Sequence, residues 1–305
     1  MPRKKDIQLA QILDSKDPER IIEEVLRIFY FHYAEDASLR IRLAFEQVKS
    51  LFAGEFPGYR QCLSEYHDFQ HTLDVLLASA RLLDGYNIEN VFLPEDLAVQ
   101  LLLAALLHDT GYIQEEWDTE GTGAKYSRQH EERSIVFLRR HHEIFEVEER
   151  ELEPIIRFIQ STDLKMDFSA IPFASAQERS AGAMLGSADL LGQMSDRAYL
   201  EKLLFLYYEF REAGIPGYRT EFDILRKTRD FYTVIKQRLR DTYLHMFELA
   251  HLHFRERYEV NNNLYIVAID RQMSYLDNVI ADRTTNFRHK LRRGDTSKLR
   301  RVRMG

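Results

Sequence analysis

The sequence predicts an all-α protein, a compact multi-helix domain with peripheral helices at both ends. Three observations carry this. Breakers are sparse, with 13 Gly and 7 Pro in 305 residues, which favours long helices over a strand-rich sandwich and its many turns. Apolar residues recur at helical spacing in one segment after another. One stretch, LAVQLLLAALLHD at 97–109, is apolar nearly all round, as a central buried helix is.

Taken in order, Asp17–Asp36 reads as a helix: Asp17 is its cap, Pro18 sits just inside, and Ile21, Ile22, Val25, Leu26, Ile28 and Phe29 follow at helical spacing. A second helix covers Ala37–Ala53 and is broken by Gly54–Gly58 with Pro57. Glu65–Leu83 repeats the pattern through Phe69, Leu73, Leu76, Leu77, Ala80 and Leu83, with Gly85 as its C-terminal cap. Pro94, Glu95 and Asp96 open the apolar helix, acids near its positive end, and it stops by Gly111. Residues Glu115–Ser127 read as an acidic loop. Helices resume at His130–Phe145, Glu148–Ser161, Gln177–Met194 and Ala198–Ala213, with Pro172 and Pro216 at turns. One long helix is expected over Phe222–Tyr258 and a last one over Asn263–Asp282. The stretch 283–305 is basic and poor in apolar residues, so it reads as a mobile tail to a single domain of 1–282 with its core at about 60–215.

Charge and cysteine content narrow the function classes. A net charge of −7 argues against a broad nucleic-acid surface but allows a small basic pocket. Cys62 is the lone cysteine, so no intrachain disulfide forms, which suits a reducing compartment. The N-terminus starts basic but has no apolar signal region, and the longest apolar run, around Leu101–Leu107, is too short to span a bilayer. The expectation is a cytoplasmic protein without a membrane span; a homo-oligomer is compatible with it.

Three sites offer chemistry. YHDFQH places His67 and His71 four apart, on one face if the segment is helical. Taken alone, such a pair reads as half-buried histidines stabilising a helix. LLAALLHDTG puts His108 and Asp109 at the C-terminal, partially negative end of the buried helix. The His-Asp dipeptide is common by chance, and its context is the informative part, since both groups are costly to bury unless paired or bound to metal. Asp189 lies among small and apolar residues in GAMLGSADLLGQM, where a carboxylate needs a strong partner; a buried cap or salt bridge is the plain alternative. Together the sites supply a mixed nitrogen and oxygen donor set. That suits first-row divalent ions and leaves room for Mg at a second position.

The ordered series His71, His108-Asp109, Asp189 resembles the H…HD…D signature of the HD-domain superfamily of metal-dependent phosphohydrolases. YHDFQHTLDV is similar to the YHNxxHxxDV motif of cyclic-nucleotide phosphodiesterase catalytic domains; ALLHDTGY, STDLK at 161–165 and SADLL resemble three further motifs of those domains, in the same order, across 66–194. The resemblance implies that His71, His108, Asp109 and Asp189 bind one divalent ion (Mn, Fe, Mg, Co, Ni or Zn), that Asp109 bridges to a second, and that His67 is the general acid. Two departures stand out. The family's further histidine after HD is absent from HDTGYIQ, and its base-recognising glutamine has no clear match between Gln237 and Gln272. Other superfamily members hold a further metal with a histidine in the following interval, which here is His130; Lys125, Arg128 and Arg133 beside it are candidates for phosphate oxygens. A surface loop with ordinary charges is the alternative for them. Structural or exposed roles are expected for His141, His142, His245, His251 and His253, and core roles for Tyr207, Tyr208 and Phe210.

The expected activity is hydrolysis of a phosphate ester of a small phosphorylated substrate, a nucleotide by the resemblance and a phosphodiester such as a cyclic nucleotide first, by attack of metal-bound water. The alternatives are a nucleotide phosphomonoesterase or triphosphohydrolase of the same superfamily, or a non-catalytic HD module that senses a nucleotide or scaffolds a partner.

Overall fold

The computed structural model describes residues 7–13, 16–89, 92–282 and 284–294. Among them the chain is all-helical, and the only β-feature is an isolated bridge between Tyr59 and Glu115. The helices are α1 (Leu9–Ile12), α2 (Pro18–Phe29), α3 (Glu35–Ala53), α4 (Phe69–Ile88), α5 (Glu95–Leu107), α6 (His130–His141), α7 (Glu149–Gln160), α8 (Ala176–Ser195), α9 (Tyr199–Glu212), α10 (Glu221–Gln237), α11 (Leu249–Tyr258) and α12 (Leu264–Ala281).

The core forms around α4, α5 and α8. Every residue of α5 from Ala98 to Leu107 is buried, as its all-round apolar sequence requires, and the helix is wrapped by α3, α4, α7 and α8. Helix α4 packs on α2, α5, α8 and α11. The caps follow sequence logic: Asp17 accepts the Glu19 N–H ahead of Pro18, Ser175 accepts from Glu178 at α8, and Asn263 accepts from Ile266 at α12.

Four expectations are corrected. Helix α2 ends at Phe29, not near Asp36; the chain turns there and His32 reaches into the core to Asp84. Gly85 does not cap α4, which continues to Ile88. It sits where α11 crosses, and a Cβ there would lie 2.1 Å from the Leu249 carbonyl oxygen, so glycine marks a close approach. The long helix over Phe222–Tyr258 is three pieces: α10, a wide turn at Arg238–Thr242, and α11 after left-handed Leu244 and His245 (φ 54° and 60°). The break draws Tyr243 into the core, where its hydroxyl donates to the Ser161 carbonyl (2.7 Å), while Arg238 donates to the carbonyls of Asp163 and Leu164.

Part of the expected mobile tail, residues 284–294, is docked: Leu291 is buried, Tyr275 donates to the Lys290 carbonyl (2.7 Å), and Arg288 and Lys290 pair with Glu221 and Asp282. Two apolar anchors, Leu291 and Phe287 against Phe222, flanked by ion pairs, hold a segment that composition alone marks as solvated. Residues 295–305 lie outside the described residues. No helix among the described residues is long and apolar enough to cross a membrane.

Candidate metal centre and its cleft

Helix α5 ends at Leu107, with His108 as its C-cap and Asp109 next. The end is locked by Ser134 of α6, whose hydroxyl donates to the His108 carbonyl (2.6 Å) and accepts the Gly111 N–H (2.8 Å). Gly111 lets the two elements meet, since a Cβ there would fall 1.9 Å from the His130 carbonyl oxygen. The same contact delivers His130, at the start of α6, to Asp109.

His71 stands on the first turn of α4, where Asp68 caps the helix by accepting its N–H (2.9 Å). His67 precedes that cap, so the two histidines do not share a helical face, contrary to the spacing argument. The turn still brings them together, with ring centroids 5.9 Å apart. Asp189 comes from α8, which packs on α4.

Of the four side chains expected to share an ion, His71, His108 and Asp109 bring ligand atoms within 4.8 Å of one another, and Asp189 reaches the two imidazoles. His71 Nε2 lies 3.3 Å from Asp109 Oδ2, 3.2 Å from Asp189 Oδ1 and 3.4 Å from His108 Nε2. His108 Nε2 lies 3.4 Å from Asp109 Oδ2 and 3.8 Å from Asp189 Oδ1. Donor atoms held at about 2.1 Å from one ion stand roughly 3.0–3.4 Å apart, close to these spacings. His71, His108 and Asp109 are all buried.

Two details fit a cation. His108 Nδ1–H donates to the Ala105 carbonyl (2.9 Å), which leaves its Nε2 lone pair aimed at the cluster. Asp109 Oδ2 is a buried carboxylate oxygen with no hydrogen-bond partner, an arrangement that is costly without a bound charge. Burial pushes the His71 imidazole down, but the carboxylates of Asp109 and Asp189 beside it outweigh this and raise its pKa to about 10. Burial likewise opposes ionisation of Asp109, yet the imidazoles of His108, His71 and His130 hold it well below the ordinary carboxylate range.

His130 faces the other oxygen: its Nε2 is 3.5 Å from Asp109 Oδ1. Asp109 thus presents Oδ2 to one imidazole pair and Oδ1 to a third imidazole, the layout of a bridging carboxylate. Burial, with help from His67 and His108, lowers the His130 pKa to about 4, so its ring is neutral and able to ligate at ordinary pH.

His67 is held apart from this set. Its Nδ1–H donates to Glu209 Oε2 (2.8 Å), and Glu209 Oε1 accepts from Ser64 (2.5 Å) and the Tyr66 N–H (2.8 Å). Burial pushes the Glu209 carboxyl up, but His67 and these donors keep it below its ordinary range. A charged acceptor so fixed turns Nε2 of His67 toward the cleft. Tyr112, in the turn after Asp109, stacks on the ring (centroids 4.3 Å, planes 11° apart).

The centre opens into a cleft of about 340 Å³. His67, His71, Asp109, His130 and Asp189 line one end, together with Glu131, whose pKa burial raises to about 7. Residues 162–165, within the STDLK motif, form a side wall. The far wall is apolar: Leu203, Leu206, Phe210, Ile215, Ile224 and Phe231. Phe210 is therefore a cleft residue and not only core.

The basic residues expected at substrate are corrected. Lys125 pairs with Asp118 (2.5 Å) and donates to the Glu120 carbonyl (2.6 Å), Arg128 donates to the Gly214 carbonyl (2.5 Å), and Arg133 holds the carbonyls of Gly111 and Ile113. All three brace the 110–128 loop, and none lines the cleft. Among the described residues the cations that do are Lys165 and Lys227, both overlooked in the sequence: Lys165 closes the STDLK motif, where attention fell on the acid, and Lys227 sits near no motif. Gln237 and Gln272 are also outside it; Gln272 is buried and donates to the Asp196 carbonyl (2.6 Å), whereas Gln193, one turn beyond Asp189, lines the cleft. Glu209 and Tyr112 were overlooked too. The one signal for Glu209 is a lone acid inside the apolar LLFLYYEF run of α9.

The fold and site thus define an all-helical protein with a buried imidazole–carboxylate cluster able to hold a metal, at the end of its central helix. Residues 58–265 match the Npun_R2479-like family, and the chain belongs to it. No curated protein matches the chain.

Proposed function

We propose that the protein is a metal-dependent phosphohydrolase that cleaves a phosphodiester carrying a single negative charge. The observation that carries the reading is Asp109. It is buried, one oxygen is unpartnered beside two imidazole Nε2 atoms, the other faces a third, and an open cleft lies against it. Divalent ions bound there supply Lewis-acid polarisation of the phosphoryl group and activation of water.

The chain's own residues provide the rest. His71, His108, Asp109 and Asp189 hold one ion and His130 with Asp109 a second. His67, fixed by Glu209 at Nδ1, presents Nε2 as the proton donor to the leaving oxygen. The carboxylate behind it fixes the ring's orientation and tautomer. Lys165 and Lys227 meet the non-bridging oxygens, while the apolar wall takes the organic substituent.

The charge count favours a diester over a nucleoside triphosphate. A polyphosphate needs several cations along its length, and only two lysines line the cleft, of which Lys227 already donates to the Gly217 carbonyl (2.6 Å).

The test is turnover of diester, monoester and triphosphate substrates with Mn, Mg or Ni added, alongside metal analysis. The reading expects diester cleavage that is lost in His108→Ala and Asp109→Ala with the protein still folded. A folded His108→Ala variant with parental turnover contradicts it.

A further inference from the structure

We infer that Tyr112 is a positioning residue that fixes the plane of the His67 ring for proton donation, an inference that rests on the reading of His67 as the acid. Glu209 anchors His67 at one atom, Nδ1, and a ring held at one atom still pivots about that bond. The second restraint is Tyr112. Its ring lies nearly parallel to the imidazole at 4.3 Å, and its hydroxyl is 3.4 Å from His67 Nε2. It also packs on His130, centroids 4.6 Å apart and planes at 26°.

Tyr112 is itself immobile. It is 2% exposed, and the turn that carries it is tied to α6 by the Gly111 N–H bond to Ser134. Tyr112 thus packs against both the proton donor and the imidazole facing Asp109 Oδ1, whose own centroids lie 6.1 Å apart. An aromatic face also suits a ring that carries positive charge while it waits to give up its proton. The hydroxyl is secondary in this account, because the stack sets the plane.

The metal-loaded protein tests this with two probes of different leaving-group quality, bis(4-nitrophenyl) phosphate and diphenyl phosphate. General-acid catalysis matters most when the leaving group is poor. Tyr112→Leu is expected to lower kcat on diphenyl phosphate by about 30-fold and on the nitrophenyl ester by about threefold or less, with KM little changed. Tyr112→Phe keeps the face and is expected to stay within about threefold of the parent on both. In a His67→Ala background Tyr112→Leu adds no further loss. Should Tyr112→Leu not fold, Tyr112→Met carries the same comparison.

A readout independent of turnover is the NMR shift of the His67 ring protons in metal-free protein. The upfield displacement from stacking disappears in Tyr112→Leu and persists in Tyr112→Phe. Equal losses on both esters, an undiminished loss without His67, a Tyr112→Phe as impaired as Tyr112→Leu, or unshifted His67 protons in the parent overturn the inference. His108→Ala distinguishes this from failure of the parent reading: if it retains turnover the phosphohydrolase assignment falls, and if it does not, only the role of Tyr112 is at issue.

Discussion

Two buried clusters of imidazole and carboxylate sit in this molecule, and they have opposite characters. In one, Asp84 is fully buried between α2, α4 and α11 and accepts from His32 (2.7 Å), His253 (2.7 Å) and Arg257 (2.7 and 3.1 Å). Burial pushes its carboxyl up, but these three partners hold it far below its ordinary range. The other is the cluster at Asp109. Both are distant in sequence and convergent in space. The difference is a built-in cation. Arg257 neutralises Asp84 and both of its oxygens are satisfied, whereas no arginine or lysine is paired with Asp109 among the described residues, and Oδ2 is left bare. The Asp109 group lines a cleft; the space beside Asp84 has no room for a water molecule. Asp84 carries its own arginine and both its oxygens are satisfied, whereas the cluster at Asp109 carries none and could hold an ion from outside.

Substitutions should separate the two. His108→Ala is expected to reduce turnover by several kcal/mol of transition-state stabilisation, about 10³-fold or more, while the thermal midpoint of the metal-free protein changes little. Asp84→Ala should do the reverse. It strands Arg257 and is expected to cost about 3–5 kcal/mol of stability, measured by urea unfolding, with metal content per folded molecule unchanged. A folded, stable Asp84→Ala that has lost its metal breaks the comparison.

Metal removal sharpens it further. With free metal at 100 times Kd, binding to the native state alone adds about 2.7 kcal/mol. A chelator should therefore lower the midpoint of the parent and of an Arg257→Leu variant alike, and leave Asp109→Asn unmoved. Glu209→Gln should leave metal binding intact and lower kcat by about 10²-fold, because the amide no longer fixes the orientation and tautomer of His67 as the carboxylate does; calorimetric metal titration beside a rate assay checks this.

The smallest effect is on pH. Burial and Arg81 push the His253 imidazole down to about 4 against the opposing pull of Asp84 and Glu24. The unfolded chain binds its proton near the ordinary value of about 6.5. The stabilising contribution is thus complete above pH 6.5 and declines as pH falls toward 4. Melting in chelator from pH 7.5 to 4.5 should show that slope as the difference between the parent and His253→Gln, because Glu131 and Asp74, raised to about 7 by burial, act with the opposite sign in the same window. His130, also lowered to about 4, adds a slope of the same sign as His253.

The sequence made much of this legible. The all-round apolar run of α5 and the capping signals at Asp17 and Pro94–Asp96 led to the helices that form. The convergence of His71, His108, Asp109 and Asp189 was legible through motif order and through the cost of burying such groups. Long-range packing was not. Gly85 reads as a cap because its contact, Leu249, is far along the chain. The π-turn at Arg238–Thr242 leaves no trace in periodicity because Tyr243 is pulled by a carbonyl on α7's end. Lys125 and Arg128 look like phosphate ligands until the loop folds and its own carbonyls take them. Glu209 shows only as a lone acid in an apolar run, because the partner that gives it a role, His67, lies 142 positions away.

The most direct measurement is anomalous diffraction at the manganese edge from crystals grown with Mn²⁺. The account predicts a peak among His71 Nε2, His108 Nε2, Asp109 Oδ2 and Asp189 Oδ1, at roughly 2.1–2.3 Å from each. Manganese bound instead at the acidic 115–120 loop, with those four atoms left uncoordinated, would contradict it.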